Sequence, residues 1–253
     1  MQLTGPEIEK RMNQINPTTG KSDIVIVPFL PQCLGSNSYD LHLSDTLKMY
    51  ADTLPKGMKP AIPVESNKDY KKCGNMRNWF NNILYYWHYR LKPGAYDPRN
   101  TRFVLDPCYT TQERETIDIK IPETGLILNP FVGYLGSTFE YTETRNLFPY
   151  VDGKSSGGRN FILVHFTAGR GDDGFCGNWT WEMSVKQPTI VYPGMRIGQV
   201  YFEEFIGDRK PYDTNPNSHY SYQGKGGMPV PAKPMKIELM QLQQALNEQA
   251  KSL

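Results

Sequence analysis

Residues 153–202 constrain the fold most, because this stretch alternates short runs typical of β-strands with turns rich in glycine and proline. Two runs, 161–167 and 178–185, flank a turn rich in glycine and aspartate, an arrangement that predicts a β-hairpin. A Tyr-Pro-Gly turn at 192–194 separates two further runs and predicts a second strand pair. The stretch therefore predicts a β-meander with charged residues in its turns.

Much of the remaining chain repeats this pattern of short β runs. They lie at 23–29, 37–43, 116–121, 125–130 and 134–140. Short strands at this density, separated by turn residues, are typical of an all-β barrel or sandwich. His42, in the second of these runs, is interpreted as an ordinary exposed strand residue rather than a ligand.

Three segments predict helices. Thr4-Gly-Pro-Glu7 has the form of a capping box with proline in the first turn, which predicts a short helix to about residue 13. Residues 55–106 carry aromatic and aliphatic residues at helical spacing near position 80, which predicts an insertion with one amphipathic helix. These aromatics also suit stacking on a base, but the lack of a local basic excess favours packing. We expect a β domain over 1–227 and a helical C-terminal extension over 228–253.

Composition limits the partners. With 28 basic and 26 acidic residues the formal net charge is only +2, which argues against nucleic acid or a membrane surface as partner. The four cysteines are scattered, so neither a zinc ribbon nor a redox pair is indicated. The N-terminus lacks the apolar run of a secretory signal, and no stretch approaches the roughly 20 apolar residues of a membrane span. We therefore expect a soluble, cytoplasmic protein, of its own cell or of an infected host cell.

The segment Gly153-Lys-Ser-Ser-Gly-Gly-Arg159 is the first candidate for a functional site. Its glycines let the backbone curl its N–H groups inward, and its two hydroxyls and two cations suit an anion such as a phosphate. Taken alone, the segment is more simply interpreted as a plain turn.

The run 178–185 is the second candidate. Trp179, Trp181 and Met183 alternate with polar residues, so a period of two places Glu182 on the polar face with Thr180. Periodicity by itself favours a solvated strand carboxylate over a catalytic one.

Four motifs together resemble the dCTP deaminase branch of the trimeric dUTPase superfamily. They are Gly-Lys-Ser-Ser-x-x-Arg, His-x-Thr-Ala-Gly, Asp-x-Gly-Phe-x-Gly-x-x-Thr-Trp-Glu and Tyr-Pro-Gly-Met-x-Ile-Gly-Gln, in this order between residues 126 and 223. A shorter echo, Asn-Ser-Tyr-Asp-Leu, lies at 37–41. The resemblance implies a dUTPase-like jelly-roll or β-barrel that forms a homotrimer with active sites at subunit interfaces.

The resemblance also implies roles for individual residues. Glu182 is the general base, and Ser155 and Arg159 position the water and polarise the ring. Substrate-binding roles fall on Lys154, Ser156, Gly157, Gly158, Arg170, Asp172, Thr180, Trp181, Tyr212, His219 and Gln223. Within this set, Asp172 contacts the deoxyribose, and Tyr212 and Gln223 hold the sugar and triphosphate.

Three residues depart from the pattern of the family. Lys154 stands where Arg is usual, and a lysine lacks the bidentate fork of a guanidinium. His219 replaces a lysine that meets the phosphates, and a histidine is mostly neutral near pH 7. Asp173 stands where many members have proline in an Asp-Pro-Gly turn. These departures bear on triphosphate preference.

The implied reaction is the hydrolase step that converts dCTP to dUTP and ammonia in pyrimidine deoxynucleotide metabolism. Many nucleobase deaminases activate water with zinc through His-x-Glu and Pro-Cys-x-x-Cys, and neither motif occurs here, so we expect a zinc-free reaction. Magnesium is expected to bind through the triphosphate without direct protein ligands, since a hard divalent cation bridges phosphate oxygens.

Two other functions fit the same residues. Asp172 lies in the pattern Gly-x-x-Asp-x-x-aromatic-x-Gly of a dUTP pyrophosphatase, where it would activate water against the α-phosphate, alone or as a second step after deamination. The second alternative is that the chain is a barrel of this superfamily that binds nucleotides as a regulatory protein without catalysing a reaction. We expect dUTP to accumulate, since an Asp172 tied to the sugar hydroxyl cannot also activate water.

Overall fold

The computed structural model describes residues 1–50, 61–64, 107–108, 115–130, 132–216, 218, 220, 228–233, 235 and 238–252. Most of the predicted insertion at 55–106, with its amphipathic helix, lies outside these residues. Residues 61–64 are described, and Ala61–Pro63 forms a β-strand that pairs with Leu126–Leu128. This part of the predicted insertion is therefore part of a sheet.

The described residues form a mainly β fold, as the sequence predicts. The strands are β1 Ile24–Val27, β2 Tyr39–His42, β3 Thr46–Tyr50, β4 Ala61–Pro63, β5 Thr116–Lys120, β6 Leu126–Leu128, β7 Tyr134–Ser137, β8 Tyr141–Thr144, β9 Phe148–Gly153, β10 Ile162–Leu163, β11 Cys176–Gly177, β12 Thr180–Val185, β13 Thr189–Val191 and β14 Arg196–Glu203. The helices are α1 Gly5–Asn13, α2 Ser155–Arg159 and α3 Leu239–Ser252, with 3₁₀ turns at Pro31–Cys33 and Tyr212–Thr214.

The strands pair antiparallel into several sheets. The largest has the order β10-β12-β7-β3-β5, and three-stranded sheets have the orders β1-β8-β11, β13-β6-β4 and β2-β14-β9. The predicted hairpin between 161–167 and 178–185 is confirmed, but its first arm is only β10, which pairs with β12 at Ile162↔Val185 and Leu163↔Ser184. The residues between the arms therefore form a long connection, and this connection carries several candidate site residues.

The second predicted strand pair is wrong. β13 pairs with β6, and β14 pairs with β2 and β9, so the Tyr-Pro-Gly turn links two different sheets. Residues 188–202 are rich in β-branched and aromatic side chains, which favour strands but do not specify the partner. The sequence therefore predicts these strands correctly and their pairing incorrectly.

Strand β12 has one face in the core and one face outside it. Its burial alternates through Trp181, Met183 and Val185, which confirms the predicted period of two. Trp181 is fully buried beneath Gly198, where a Cβ atom would lie 2.5 Å from the indole ring. Only glycine at 198 leaves room for this ring, and the packing turns Glu182 to the opposite face.

The two terminal helices agree with the sequence. Helix α1 has Pro6 in its first turn and buries Ile8, although its N-cap Thr4 makes no side-chain capping bond. Arg11 joins it to the rest of the fold through ion pairs with Asp23 and Glu204, each at 3.0 Å. Helix α3 exposes several large apolar side chains, and none of the helices in the described part of the chain is long and apolar enough to cross a membrane.

Candidate active site

Residues Ser155–Arg159 form one helical turn, α2, and not the open glycine loop that the sequence suggests. The N–H of Gly158 donates to Lys154 O at 2.9 Å, so the helical bond already uses this amide. The first N–H groups of a helix lack partners within the helix, which leaves the amides ahead of Gly158 and the exposed hydroxyls of Ser155 and Ser156 for a ligand. Gly157 is buried, and a Cβ atom at this position would lie 3.8 Å from Ile197 O.

Lys154 precedes this turn and is anchored by a carboxylate. Its ammonium group forms an ion pair with Asp40 of β2, and Arg196 of β14 also approaches Asp40 at 3.5 Å. Two cations thus share one carboxylate, and the cluster keeps a positive excess. A cationic cluster beside exposed hydroxyls is suited to a phosphate group.

Glu182 lies on the outer face of β12 and is held by the connection that follows β10. Its Oε2 accepts a hydrogen bond from Phe166 N at 3.0 Å, and its own N–H donates to Val164 O at 2.9 Å. In the described part of the chain, no hydrogen bond to Oε1 is seen. One carboxylate oxygen is therefore fixed while the other is available to a water molecule or a substrate.

Thr180 shares this outer face with Glu182 and also meets the C-terminal extension. Its Oγ1 accepts a hydrogen bond from Val230 N at 3.0 Å. Ala232 N donates to the hydroxyl of Tyr50 at 3.0 Å, so the extension is fastened at two points. A hydroxyl that accepts this bond still has a proton to donate, and Thr180 keeps that capacity toward a ligand.

Two adjacent aspartates in the 168–177 turn differ in environment. Asp172 is exposed, and among the described residues its carboxylate has no hydrogen bond or ion pair. Asp173 is buried and is bound by Arg209, whose Nε lies 2.8 Å from Oδ2, and by the N–H of Asn146 at 2.7 Å. Asp172 is thus available for chemistry, and Asp173 is part of the framework.

The remaining predicted contacts have different placements. Tyr212 donates its N–H to Asp173 O at 2.6 Å. This bond joins the segment after β14, called the tail from here on, to the turn 168–177, called the Asp172 turn. The exposed Arg170 guanidinium lies 5.2 Å from the centre of the Phe148 ring. Trp181 is fully buried and lies on the core face of β12, opposite Glu182, so its side chain is not open to a ligand in this chain, and its substrate contact stays a prediction. His219 and Gln223 lie outside the described residues.

The elements that carry these residues are neighbours in the fold. Turn α2 leads into β10 through a hydrogen bond from Phe161 N to Gly158 O at 3.0 Å. Strand β10 pairs with β12, the strand that carries Thr180 and Glu182. Turn α2 thus leads into β10, the edge strand of the five-stranded sheet, and Glu182 lies on β12, the next strand in that sheet.

The structure shows one polar cluster that the sequence reasoning missed. His42, predicted as an exposed strand residue, has a side chain only 12% exposed and pairs through Nδ1 with Glu140, which is 1% exposed. The backbone N–H of His42 also donates to Glu140 at 2.9 Å, and Cys33 Sγ lies 3.8 Å from Nε2 of the ring. Burial raises the pKa of the Cys33 thiol, which keeps it protonated. In the run 134–140, Glu140 is an even number of residues from Tyr134, so a period of two places both side chains on the same, buried face. This alternation was the feature of the sequence from which the burial of Glu140 could have been predicted.

Within the described ranges, no group of three or more His, Cys, Asp and Glu side chains is placed to hold a metal ion. Asp40 is already shared by two cations, and Asp172 is a single exposed carboxylate.

The chain is similar to a protein family and to several known proteins. Residues 87–205 match the family model described as dCTP deaminase-like. A protein of Leptospira biflexa named "dCTP deaminase, dUMP-forming" is 33% identical over 228 residues, which covers 90% of this chain and 93% of that relative. A protein of Hathewaya histolytica with the same name is 31% identical over 228 residues, covering 90% of this chain and 94% of its own. The crystal structure of 2'-deoxycytidine 5'-triphosphate deaminase from Agrobacterium tumefaciens aligns with a TM-score of 0.45 and 14% identity over 81% of this chain and 48% of that one.

We expect the loss of the buried Glu140 carboxylate to destabilise the fold much more than the loss of an exposed carboxylate. Glu140→Ala removes the partner of His42 at two atoms and should lower the free energy of unfolding by about 3 kcal/mol, because a buried pair loses one member. The matched control is Asp118→Ala, which breaks an ion pair with Lys48 whose carboxylate side chain is 53% exposed. It should cost less than about 1 kcal/mol. Urea denaturation measures both, and equal losses would contradict the importance of burial here.

Proposed function

Because the chain belongs to the dCTP deaminase-like family, we propose that it catalyses the hydrolytic deamination of dCTP, with Glu182 as the general base. One observation carries the assignment: Glu182 Oε2 is fixed by the Phe166 amide, while Oε1 has no partner in the described part of the chain. A base must be held in place and still reach its proton, and this carboxylate meets both requirements.

The proposed reaction adds water to C4 of the cytosine ring and releases ammonia. Glu182 takes a proton from the water as its oxygen bonds to C4. The same carboxyl group then returns the proton toward the exocyclic amino group, the C4–N bond breaks, and ammonia leaves. The proton of the new C4 hydroxyl moves to N3, which gives the uracil ring, and the carboxylate is regenerated for the next cycle. Proton transfer by one well-placed carboxyl group thus serves both halves of the reaction.

Ser155 and Arg159 are proposed to assist this step from α2. A serine hydroxyl orients the attacking water, and a guanidinium stabilises the negative charge that develops on the ring as water adds. Both lie on the turn that leads into β10, beside the strand of Glu182. Thr180, on the same face as Glu182, is proposed to contact the base or sugar through its hydroxyl proton.

The phosphates are proposed to lie against Lys154, Ser156 and the amide of Gly157, with Arg170 as a further cation. Since the Gly158 amide is used within α2, the hydroxyls carry more of this contact than the sequence suggests. Magnesium, bound through the triphosphate, would neutralise charge that two or three side-chain cations leave uncompensated. The proposal includes no zinc.

Glu182→Gln tests the proposed base. The amide preserves the size of the side chain and an oxygen for the Phe166 N–H, but it cannot accept the water proton. Ammonia release from dCTP should fall by about a thousandfold, within the usual range for general acid–base catalysis, while nucleotide binding is kept. Glu123→Gln, at an exposed turn, is the control and should leave the rate unchanged. Full activity of Glu182→Gln would remove this residue from the mechanism.

The Asp172 carboxylate supports a second step, the hydrolysis of dUTP to dUMP and pyrophosphate. It is exposed and has no hydrogen bond in the described structure, so it is available to activate water against the α-phosphate of dUTP. Two similar relatives carry the words dUMP-forming in their names. We therefore favour dUMP and pyrophosphate as final products over the accumulation of dUTP that the sequence alone suggested.

Asp172→Asn separates the two steps. If Asp172 activates water for the second hydrolysis, the variant should still release ammonia from dCTP but accumulate dUTP in place of dUMP. Asp208→Asn, at another exposed aspartate, is the control and should leave the products unchanged. Chromatography of the nucleotides reports the outcome. Undiminished dUMP from the Asp172 variant would contradict the second step, and dUTP from the parent chain would show deamination alone.

Assembly is proposed to complete the site. Large apolar side chains are exposed in the segment that follows α2, in and beside β10. Phe161, Leu163 and Phe166 are each more than half exposed. An apolar patch of this kind is typical of a protein interface, and a homotrimer would cover it. Light scattering should give three times the chain mass of 29.0 kDa. A mass of one chain would contradict this assembly.

A further inference from the structure

Asp173 is a buried carboxylate with no role in the chemistry described above. Its two oxygens accept hydrogen bonds from Arg209 Nε at 2.8 Å and from Arg209 Nη2 at 3.2 Å. The backbone N–H of Asn146, a residue with φ of 61°, adds a third bond at 2.7 Å. A buried carboxylate with a bidentate guanidinium and a backbone donor is well compensated, and it holds its partners in one geometry.

Arg209 begins a segment that packs directly on the Asp172 turn. Tyr212 N donates to Asp173 O at 2.6 Å. Gly174, with φ of 87°, lies so close to this segment that a Cβ atom would be 2.8 Å from Asp213 Oδ1 and 2.9 Å from Tyr212 N. The Tyr212 ring is also 6.4 Å from the Phe175 ring. Residues 209–214 and the turn therefore form one packed unit.

Tyr212 extends this unit toward the tail. Its hydroxyl accepts a hydrogen bond from Tyr220 N at 2.9 Å, and its carbonyl accepts one from the Ser218 hydroxyl. The arrangement thus runs from the buried Asp173 carboxylate and its exposed partner Arg209, through Tyr212, to Ser218 and Tyr220.

We propose that Asp173 and Arg209 are positioning residues that set nucleotide affinity by locking Tyr212 against the Asp172 turn. This inference rests on the proposed function, in which Asp172 acts at the α-phosphate, and on the contact with the sugar and triphosphate that the family resemblance implies for Tyr212. Neither Asp173 nor Arg209 touches the reacting atoms, so the ion pair acts on binding and leaves the chemical step alone.

Loss of the Asp173–Arg209 ion pair would weaken the attachment of residues 209–214 to the Asp172 turn. Without Arg209, Asp173 keeps a charge in a buried place with one fewer partner, and the segment loses its side-chain attachment. The segment then opens more often, and binding requires it to be ordered again, which weakens the apparent affinity. The loss falls equally on the ground state and the transition state, so it raises KM and leaves kcat unchanged.

Arg209→Ala tests the proposal, with Lys210→Ala as the matched control at the neighbouring exposed cation. The first variant should raise KM for dCTP about tenfold, equivalent to about 1.4 kcal/mol, with kcat within about twofold. Chymotrypsin should cleave after Tyr212 about tenfold faster, because cleavage of a transiently opened segment follows its open population. The control should change neither quantity.

A second variant, Asp173→Asn, removes the charge but keeps an acceptor for the Asn146 amide. It should reproduce the KM effect, and the double variant should be no worse than either single one, because both remove the same interaction. Additive effects would show that the two residues act separately and would overturn the proposal. Arg209→Lys keeps the charge without the fork and should restore part of the affinity.

Binding of dCTP measured by calorimetry, with Glu182→Gln as the background, separates this inference from the proposed reaction. A Kd raised about tenfold by Arg209→Ala supports the positioning role even if the parent chain releases no ammonia, an outcome that would defeat the proposed reaction alone. An unchanged Kd overturns the positioning role, whether or not chymotrypsin cleavage is faster. A parent chain that does not bind dCTP overturns both.

Discussion

The packing of Trp181 beneath Gly198 is the constraint on which the candidate site depends. The indole fills the core so closely that a Cβ atom at 198 would lie 2.5 Å from it, and Met183 packs in the same way against Gly136, where the separation would be 2.8 Å. Side chains alternate along a strand, so when Trp181 and Met183 both point into the core, the side chain of Glu182 between them points to the outer face. A core contact thus determines where the carboxylate of the site points.

The polar groups around this strand lie on irregular connections, and each connection is fastened to the sheets by a few hydrogen bonds. The turn after β10 is held by Glu182 at both its backbone N–H and its carboxylate. The Asp172 turn is held through the buried Asp173, and the C-terminal extension through Thr180. Functional side chains on connections gain their precision from such attachments to a rigid framework. The site is therefore the outer face of β12 surrounded by separately anchored segments.

Local patterns in the sequence predicted β1, β2, β5, β6, β7 and β12, and the side of β12 that faces the core, since alternation with a period of two marks both. They did not predict β3, β4, β8, β9 and β11, which lie outside the runs recognised as strands. The patterns were also insufficient to predict which strands pair, because the partners of β14 are β2 and β9, far from it in the chain, and alternation carries no information on partners. The helical form of α2 was missed because two glycines and two serines favour turns over helices. The His42–Glu140 pair was missed because its members are 98 residues apart.

Separation of the nucleotides formed from dCTP tests the central claim most directly. The intact chain would be incubated with dCTP and magnesium, and the products would be resolved by chromatography while ammonia is measured in the same samples. The account predicts a uracil nucleotide together with an equimolar amount of ammonia. Unchanged dCTP in a sample that still cleaves dUTP would contradict it, because the protein would then act at phosphorus and not at C4 of the base.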